Sequence, residues 1–545
     1  MAIGGILKSK YRRTVITVAV QSRLLVTALF VLWRVLASPY DTSAELNQPC
    51  LSQKIPDWTY QEDEGVRANR SSLGLLGQAI EKTIVWDGVY YVKIAECGYE
   101  YEHYHAFLPI FPLAMRFVTR TFLSKLVPSL GLRATLALSG YLINNLAFVF
   151  SAFCLFMLTE ALLEDGLLAL TAAALFCFNP ASTFYSAIYS ESLFALLSFT
   201  GILCFLKGRK WWAVILFGLS SGVRSNGVLH AGLFLYQAMH KVFNQTIYRR
   251  RFSQVVPTIL TAVLQSFAVA TPFVGFQFYG WLQMCYIPRV KLISPARPWC
   301  SASVPYLYGF VQSHYWNVGF LRYFQLKQLP NFLLASPMLV LSICSIIAYG
   351  RQQPRLLFSL GLVVAGSSSP AQAKVALLSD GEEVRAKIAR KGKTGDGSLE
   401  APRKGFFSPA AVCFLIQLGF MTAVAMFVMH VQVATRFLSV SPPVYWYGAH
   451  TMISSKVRGR IGKLIWSSFL AYVKNPYQLL NALEKRIYNA LWRERERGRN
   501  GVSDYGVLKA TLRPAAGSGT VERGSEHPRK GGHEGSTLKV LKFLS

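Results

Sequence analysis

The sequence predicts an all-α polytopic membrane protein, and three observations carry that prediction. Of its 545 residues, 52% are hydrophobic, and the mean hydropathy is +0.32. The apolar residues fall in repeated runs near the length that crosses about 30 Å of hydrocarbon, where a soluble chain of this size would divide into several domains. The formal charge is +30, and its basic residues collect in the N-terminal tail, two inter-span loops and the C-terminal segment. That is the placement of positive cytoplasmic loops. Charge distributed in this way marks sidedness, so no nucleic-acid partner is expected despite the excess.

The elements follow in order. Lys8, Lys10, Arg12 and Arg13 put the N-terminus in the cytosol, ahead of a first span over about 14–37. That run lacks a small-residue cleavage site and is long enough to stay as an anchor. Arg34 at its end can snorkel, whereas Arg23 is expected to face the protein interior. Residues 38–105 form a luminal loop carrying the sequon Asn69-Arg70-Ser71. Residues 106–122 are apolar but contain Pro109 and Pro112, which predicts a broken or re-entrant segment.

A long helix is expected over 134–163, with Asn144-Asn145 inside it. The next apolar run, 167–178, stops at Asn179-Pro180, because proline disfavours helix in the residue before it. Residues 193–206 form another run, and the one beginning at Trp211 is interrupted by Gly222-Val-Arg-Ser-Asn-Gly227. Lys241, Arg249, Arg250 and Arg251 make 241–254 cytosolic, which would leave the sequon at Asn244 silent. Residues 255–280 span again, 281–329 form a second luminal loop, and 330–348 cross back. Ten Lys/Arg with Gly, Ser and Pro make 351–407 a flexible cytosolic loop. Residues 408–429 then return to the lumen.

The multi-span domain is drawn over 1–450. Beyond it the alternation of charge stops. Residues 451–545 are strongly basic, and their longest apolar patch, 464–473, is too short to span. They read as a divergent basic tail, disordered or the product of an erroneous gene prediction. No repeats of 20–50 residues are evident. Of nine cysteines, Cys154, Cys177, Cys204, Cys344 and Cys413 lie in apolar runs and read as small buried hydrophobes. Cys50, Cys97, Cys285 and Cys300 lie in the luminal loops, where disulfides are possible but pairing cannot be read from sequence. No spacing suggests a zinc site.

Chemistry concentrates in residues 86–116, where Asp87, Glu96, Glu100, Glu102, His103 and His105 stand among many aromatics just ahead of the Pro-bounded segment. An interfacial loop anchored by tyrosines is one reading. A catalytic pocket with an acid as general base is the other. Further along, Glu191 sits at the edge of an apolar run with no basic residue within a helical turn, a costly place for an acid unless it is paired or functional. Arg224 and Asn226 lie between glycines inside hydrophobic sequence. Arg224 either neutralises Glu191 or offers its planar fork of donors to a phosphate or sugar.

The wording of these stretches resembles the PIG-V family, the second mannosyltransferase of glycosylphosphatidylinositol (GPI) anchor assembly. Trp86-Asp-Gly-x-Tyr-Tyr, Ile94-Ala-Glu-x-Gly-Tyr, Tyr101-Glu-His and Ala106-Phe-x-Pro-x-Phe-Pro-Leu occur at fixed spacing. Tyr189-Ser-Glu191, Gly222-Val-Arg-Ser-Asn-Gly227, Tyr315-Trp-Asn-Val-Gly-Phe320, Pro330-Asn-Phe-Leu-Leu-Ala335 and His430-Val-Gln-Val-x-Thr-Arg-Phe437 extend the likeness over 1–450. The family closes with another hydrophobic helix and a short aromatic C-terminus, which this sequence does not show.

The resemblance implies a GT-C glycosyltransferase of the endoplasmic-reticulum membrane with a catalytic first luminal loop. It implies transfer of an α1,6-linked mannose from dolichyl-phosphate mannose to a GPI precursor, with no cofactor, no metal and a small membrane-protein subunit as a partner. A β-linked donor and an α-linked product require a single inverting displacement with one carboxylate base. Asp87 is the expected base, with Trp86 beside it to stack on a sugar. Arg224 or Arg436 would receive the leaving phosphate, since charge stabilisation there does not require a metal. Glu96, Glu102, His103, Glu191, Asn226, Trp316, Asn317 and Gln432 are expected to contact donor or acceptor, and Glu102-His103 leaves a metal pair open. A secondary transporter also has broken helices with buried charges. It would tend to show internal repeats, and none is seen. An acyltransferase using His103 or His430 as base fits the acid-rich loop poorly.

Overall fold

A computed structural model describes residues 2–36, 50–51, 72–248, 250–287, 297–362, 405–454 and 456–474. Asn69, most of the 351–407 loop and the chain after 474 lie outside the described residues, and no strand occurs among those described. Five helices are long and apolar enough to cross a membrane: α1 (Ala2–Leu36), α5 (Leu132–Leu163), α11 (Val255–Trp281), α13 (Leu329–Gln352) and α14 (Val412–Phe427), each alone or with a short extension. They make a multi-pass membrane protein.

Between them run shorter apolar helices: α6 (Gly166–Cys177), α8 (Glu191–Leu206), α9 (Lys210–Val223) and α10 (Ala231–Phe243). At 1.5 Å per residue, α8 and α9 reach only about 21–24 Å. Each stops where the sequence changes character. Asn179 closes α6 by donating to the Phe176 carbonyl at 2.7 Å and accepting from Ala181 N–H at 2.8 Å. The single turn α7 (Ser182–Ser186) follows. Two side chains of α5 then fix the non-helical link to α8. Asn144 donates to the carbonyls of Ala187 and Tyr189, and Asn145 accepts from Ser186 Oγ at 3.1 Å. Arg23 faces the interior, as predicted. Its guanidinium bonds the Cys177 and Ser182 carbonyls and the Ser182 and Ser186 hydroxyls, 3.6 Å above the Phe148 ring. One buried cation thereby satisfies the carbonyls that the broken helix leaves open.

The loop elements gather at one end of the bundle, where α5 begins and α11 and α14 finish. They are α2 (Ser72–Glu81), α3 (Asp87–Cys97), α4 (Ile110–Thr121) and α12 (Leu307–Tyr315). The break expected in 106–122 is present: a 3-10 turn, Glu102–Ala106, is followed by extended Phe107 and then by the twelve residues of α4. Two short helices, α15 (Val431–Leu438) and α16 (Pro442–Ile453), complete the core.

The tail expected over 451–545 is described as far as residue 474. Lys456–Lys474 form a helix, α17, packed on α16. Trp466, Phe469 and Val473 recur at helical spacing and meet the core, Trp466 against Phe178 with ring centroids 5.4 Å apart, and Tyr472 donates to the Leu334 carbonyl. A patch too short to span is long enough to pack.

Candidate active site

Four charged side chains from four distant segments meet where the short helices end. Asp87 is the first residue of α3 and Glu191 the first of α8, while Arg224 closes α9 and Arg436 lies in α15. Arg436 Nη2 donates to Asp87 Oδ2 at 2.8 Å, and its Nε donates to Glu191 Oε1. Arg224 Nη1 meets that same oxygen at 2.7 Å and bonds Ser190 Oγ at 3.2 Å. The result is an alternating chain, Asp87–Arg436–Glu191–Arg224. Glu191 is fully buried, whereas the Asp87 side chain keeps 30% of its exposure. The guanidinium of Arg436 also lies over the rings of Phe184 and Tyr189, at 4.9 and 4.6 Å.

Local sequence explains each placement. Trp86, just before α3, adopts φ 53°, ψ −126°, a conformation rare for a bulky residue. Such strain persists only where the surroundings impose it, and it gathers at functional sites. Two acids open helices, where the helix dipole favours negative charge. Gly227 lets the turn after Arg224 fold back, since a Cβ there would stand 2.4 Å from Ser221 N. His430 accepts from Gln432 N–H to start α15. Gln432 bonds Asn331 at 3.0 Å, one turn from Arg436 on the same face.

The other expected site residues lie outside this chain of charges, each with contacts of its own. Glu96 lies about 14 Å along α3 from Asp87. Arg133 Nε takes its oxygens at 2.9 and 3.0 Å, and Lys93 lies at 3.4 Å. Glu102 clamps the second loop to the first, accepting from Trp299 Nε1 at 2.6 Å and Tyr315 OH at 2.9 Å and pairing with Arg297 at 3.1 Å. His103 packs its ring against Tyr90, Tyr104 and Tyr315. Trp316 packs on Phe107 and accepts from Tyr323 OH through its carbonyl, and Asn317, with φ 52°, contacts Arg322. Asn226 is buried two residues beyond Arg224.

Burial sets the ionisation of this loop layer. It pushes the His103 imidazolium down, against the opposing pull of Glu102. It takes His105 and His430 each to about 4. Burial and the Glu102 hydrogen bond raise Tyr315 to about 12. The loop cysteines pair as Cys50–Cys97 and Cys285–Cys300, and the five in apolar helices are free. Pairing that composition left open is resolved here by proximity. Among the described residues, the cluster of metal-ligand type, Cys50, Cys97 and Glu100, includes a disulfide.

Sequence reasoning missed Phe184, Tyr189, Ser190 and Tyr91, whose hydroxyl donates to Ser190 Oγ at 2.9 Å. Tyr91 and Tyr189 stood in quoted motifs, but aromatics at a membrane boundary read first as anchors. The arrangement offers one partly exposed carboxylate beside Arg436, with Arg224 next along the chain through Glu191, the equipment for deprotonating a hydroxyl while neutralising an anionic leaving group.

Comparison with known proteins identifies the family. The sequence profile of the family described as Mannosyltransferase (PIG-V) matches residues 12–478, reaching past 450 through α17. A GPI alpha-1,6-mannosyltransferase 2 of Cricetulus griseus is 34% identical over 428 residues, covering 75% of this chain and 81% of its own. The Homo sapiens protein of that name is 34% identical over 67% of this chain and 72% of its own. A GPI mannosyltransferase 2 of Drosophila pseudoobscura pseudoobscura is 31% identical over 70% and 81%. No solved structure matches the chain. With four charges converging at one end of an all-α membrane bundle, and a profile spanning most of its length, the chain belongs to the PIG-V mannosyltransferase family.

Proposed function

We infer that this protein is the GT-C glycosyltransferase that adds the second, α1,6-linked mannose to a mannosyl-glucosaminyl-phosphatidylinositol precursor, using dolichyl-phosphate mannose at the endoplasmic-reticulum membrane. The family profile and the relatives' names support the reaction class. The observation that carries the chemistry is the ion pair of Asp87 with Arg436, at 2.8 Å. Nothing in the fold or the comparisons supports a transporter.

In the proposed mechanism, an Asp87 oxygen takes the proton of the attacking acceptor hydroxyl. The acceptor's hydroxyl oxygen bonds to the anomeric carbon from the face opposite the phosphate, the bond from that carbon to the phosphate oxygen breaks, and configuration inverts. The departing dolichyl phosphate keeps the electron pair, and arginine neutralises its charge. Arg436 holds Asp87 until a phosphate competes for its donors. Glu191 balances both guanidinium groups, which would otherwise repel at close range. A small membrane-protein subunit would complete the assembly, and affinity purification from microsomes tests for it. The reading itself is tested by incubating microsomes from cells expressing the chain with labelled dolichyl-phosphate mannose and a one-mannose GPI precursor. Formation of a two-mannose, α1,6-linked product is expected. Absence of product from well-expressed protein rejects the assignment.

A further inference from the structure

Asp87 and Tyr91 lie one turn apart on one face of α3, and they reach different arginines. Asp87 accepts from Arg436. The Tyr91 hydroxyl donates at 2.9 Å to Ser190 Oγ, which also accepts from Arg224 Nη1 at 3.2 Å. Both ends of the charged chain are therefore tied to one helix. Ser190 stands immediately before α8, where a serine ordinarily accepts from a first-turn N–H. Its hydroxyl makes no such bond and is turned to Tyr91 and Arg224 instead. Those two donors take both lone pairs of the oxygen. Tyr91 is buried, its ring held edge-on by Phe107 and Phe111 at centroid distances of 5.2 and 4.9 Å. Burial, with Glu191 and Asp87 near, raises its phenol above the ordinary value, so it remains a donor. Arg224 meets Glu191 and Ser190 through Nη1, and among the described residues its Nε and Nη2 make no hydrogen bond. Those two nitrogens remain for an anion.

We propose that Tyr91 and Ser190 are positioning residues for mannose transfer, holding Arg224 so that its remaining donors meet the departing phosphate. This rests on the reading above that arginine neutralises that phosphate. The donor is a phosphodiester with a single negative charge, and the departing monoester approaches about two. An arginine fixed in place therefore contributes most as the bond breaks, and least to binding of the donor. Without the Tyr91 hydroxyl, Ser190 is free to turn toward the first-turn N–H groups of α8, and Arg224 loses one of its two anchors.

Tyr91→Phe tests this, because it removes only the hydroxyl and keeps both ring contacts. In a microsomal assay kcat should fall about tenfold, the scale of a lost hydrogen bond beside a charged group, while KM for dolichyl-phosphate mannose holds. Binding of radiolabelled dolichyl phosphate to the purified protein, which needs no turnover, should weaken by a similar factor. Ser190→Ala should reproduce both changes. In an Arg224→Ala background, Tyr91→Phe should weaken that binding no further. Tyr349→Phe is the comparison: it removes a likewise buried hydroxyl, bonded to the Ser408 carbonyl at 3.0 Å near the other end of α13. A loss of folding alone lowers the amount of active protein, as that variant would, and leaves the affinity for dolichyl phosphate unchanged. Unchanged affinity in Tyr91→Phe, or a further loss in the Arg224→Ala background, overturns the proposal. If Tyr91→Phe weakens dolichyl phosphate binding as expected while the unaltered protein transfers no mannose, the assigned reaction fails and the positioning stands.

Discussion

Arg436 joins Asp87, the proposed base, to the buried Glu191, reaching Asp87 across 349 residues of sequence, and its neighbours can be tested singly. Asp87→Asn keeps size and hydrogen bonding but removes the proton acceptor. Mannose transfer is expected to fall by about two to four orders of magnitude, with protein level held, in a microsomal assay normalised to abundance. Near-normal transfer would remove Asp87 as the base. Glu191→Ala leaves two arginines facing one another in a buried site, a loss of roughly 3–5 kcal/mol. It should appear as a lower melting temperature in detergent. Adding Arg224→Ala should restore the melting temperature but not transfer. Recovery of transfer would reduce Arg224 to a counter-ion for Glu191. That these two residues pair was one of two readings open in sequence, because a lone acid in an apolar run demands a partner. The sharing of one Glu191 oxygen with Arg436 was not legible, since no local pattern links residues so far apart.

Among the elements, the most legible were those ended by chemistry of their own. Asn179-Pro180 stopped α6, the Gly222–Gly227 turn stopped α9, and Pro109 broke the segment before α4. Less legible was the clamp that holds the two loops together. Glu102 looked like a substrate ligand because its partners, Arg297, Trp299 and Tyr315, lie in a loop that only tertiary folding brings near. Helix α17 was missed for another reason: a span and a packed surface helix need different lengths, and spanning length was the criterion applied. The clamp layer carries a pH signature. His105 is 1% exposed, lies against Phe276, and is held to about 4 by burial. Its folded pKa is depressed, so its contribution is present above the unfolded value of about 6.5 and is lost as pH falls from there through about 4. The melting temperature should drop across that window, and His105→Phe should flatten the drop. An unchanged slope in the variant would assign the effect to His103 or His430, which burial also lowers.

For the molecule as a whole, sidedness is the prediction on which the site's location depends. Residues 38–105 and 281–329 should be luminal, and 241–254 and 351–407 cytosolic. Both disulfides fall in the segments assigned to the lumen, which agrees with an oxidising compartment there. Single cysteines introduced in these loops should react in sealed microsomes only on the cytosolic segments. Labelling of 351–407 only after permeabilisation would invert the map. The short helices carry a last consequence. Glu191 stands about 22 Å along the helix from Leu206, after which Lys207 and Arg209 would mark the cytosolic surface by the positive-inside rule. On the proposed sidedness the charged chain would be recessed below the luminal headgroups. Its distance from water grows as the bilayer thickens, from about 27 Å of hydrocarbon in the endoplasmic reticulum to about 32–33 Å in sterol-rich plasma membrane. An enzyme so placed would work best in thin membranes. In nanodiscs of increasing acyl-chain length its turnover should decline several-fold while its fold persists, so that hydrophobic mismatch would silence it in a membrane it could still enter.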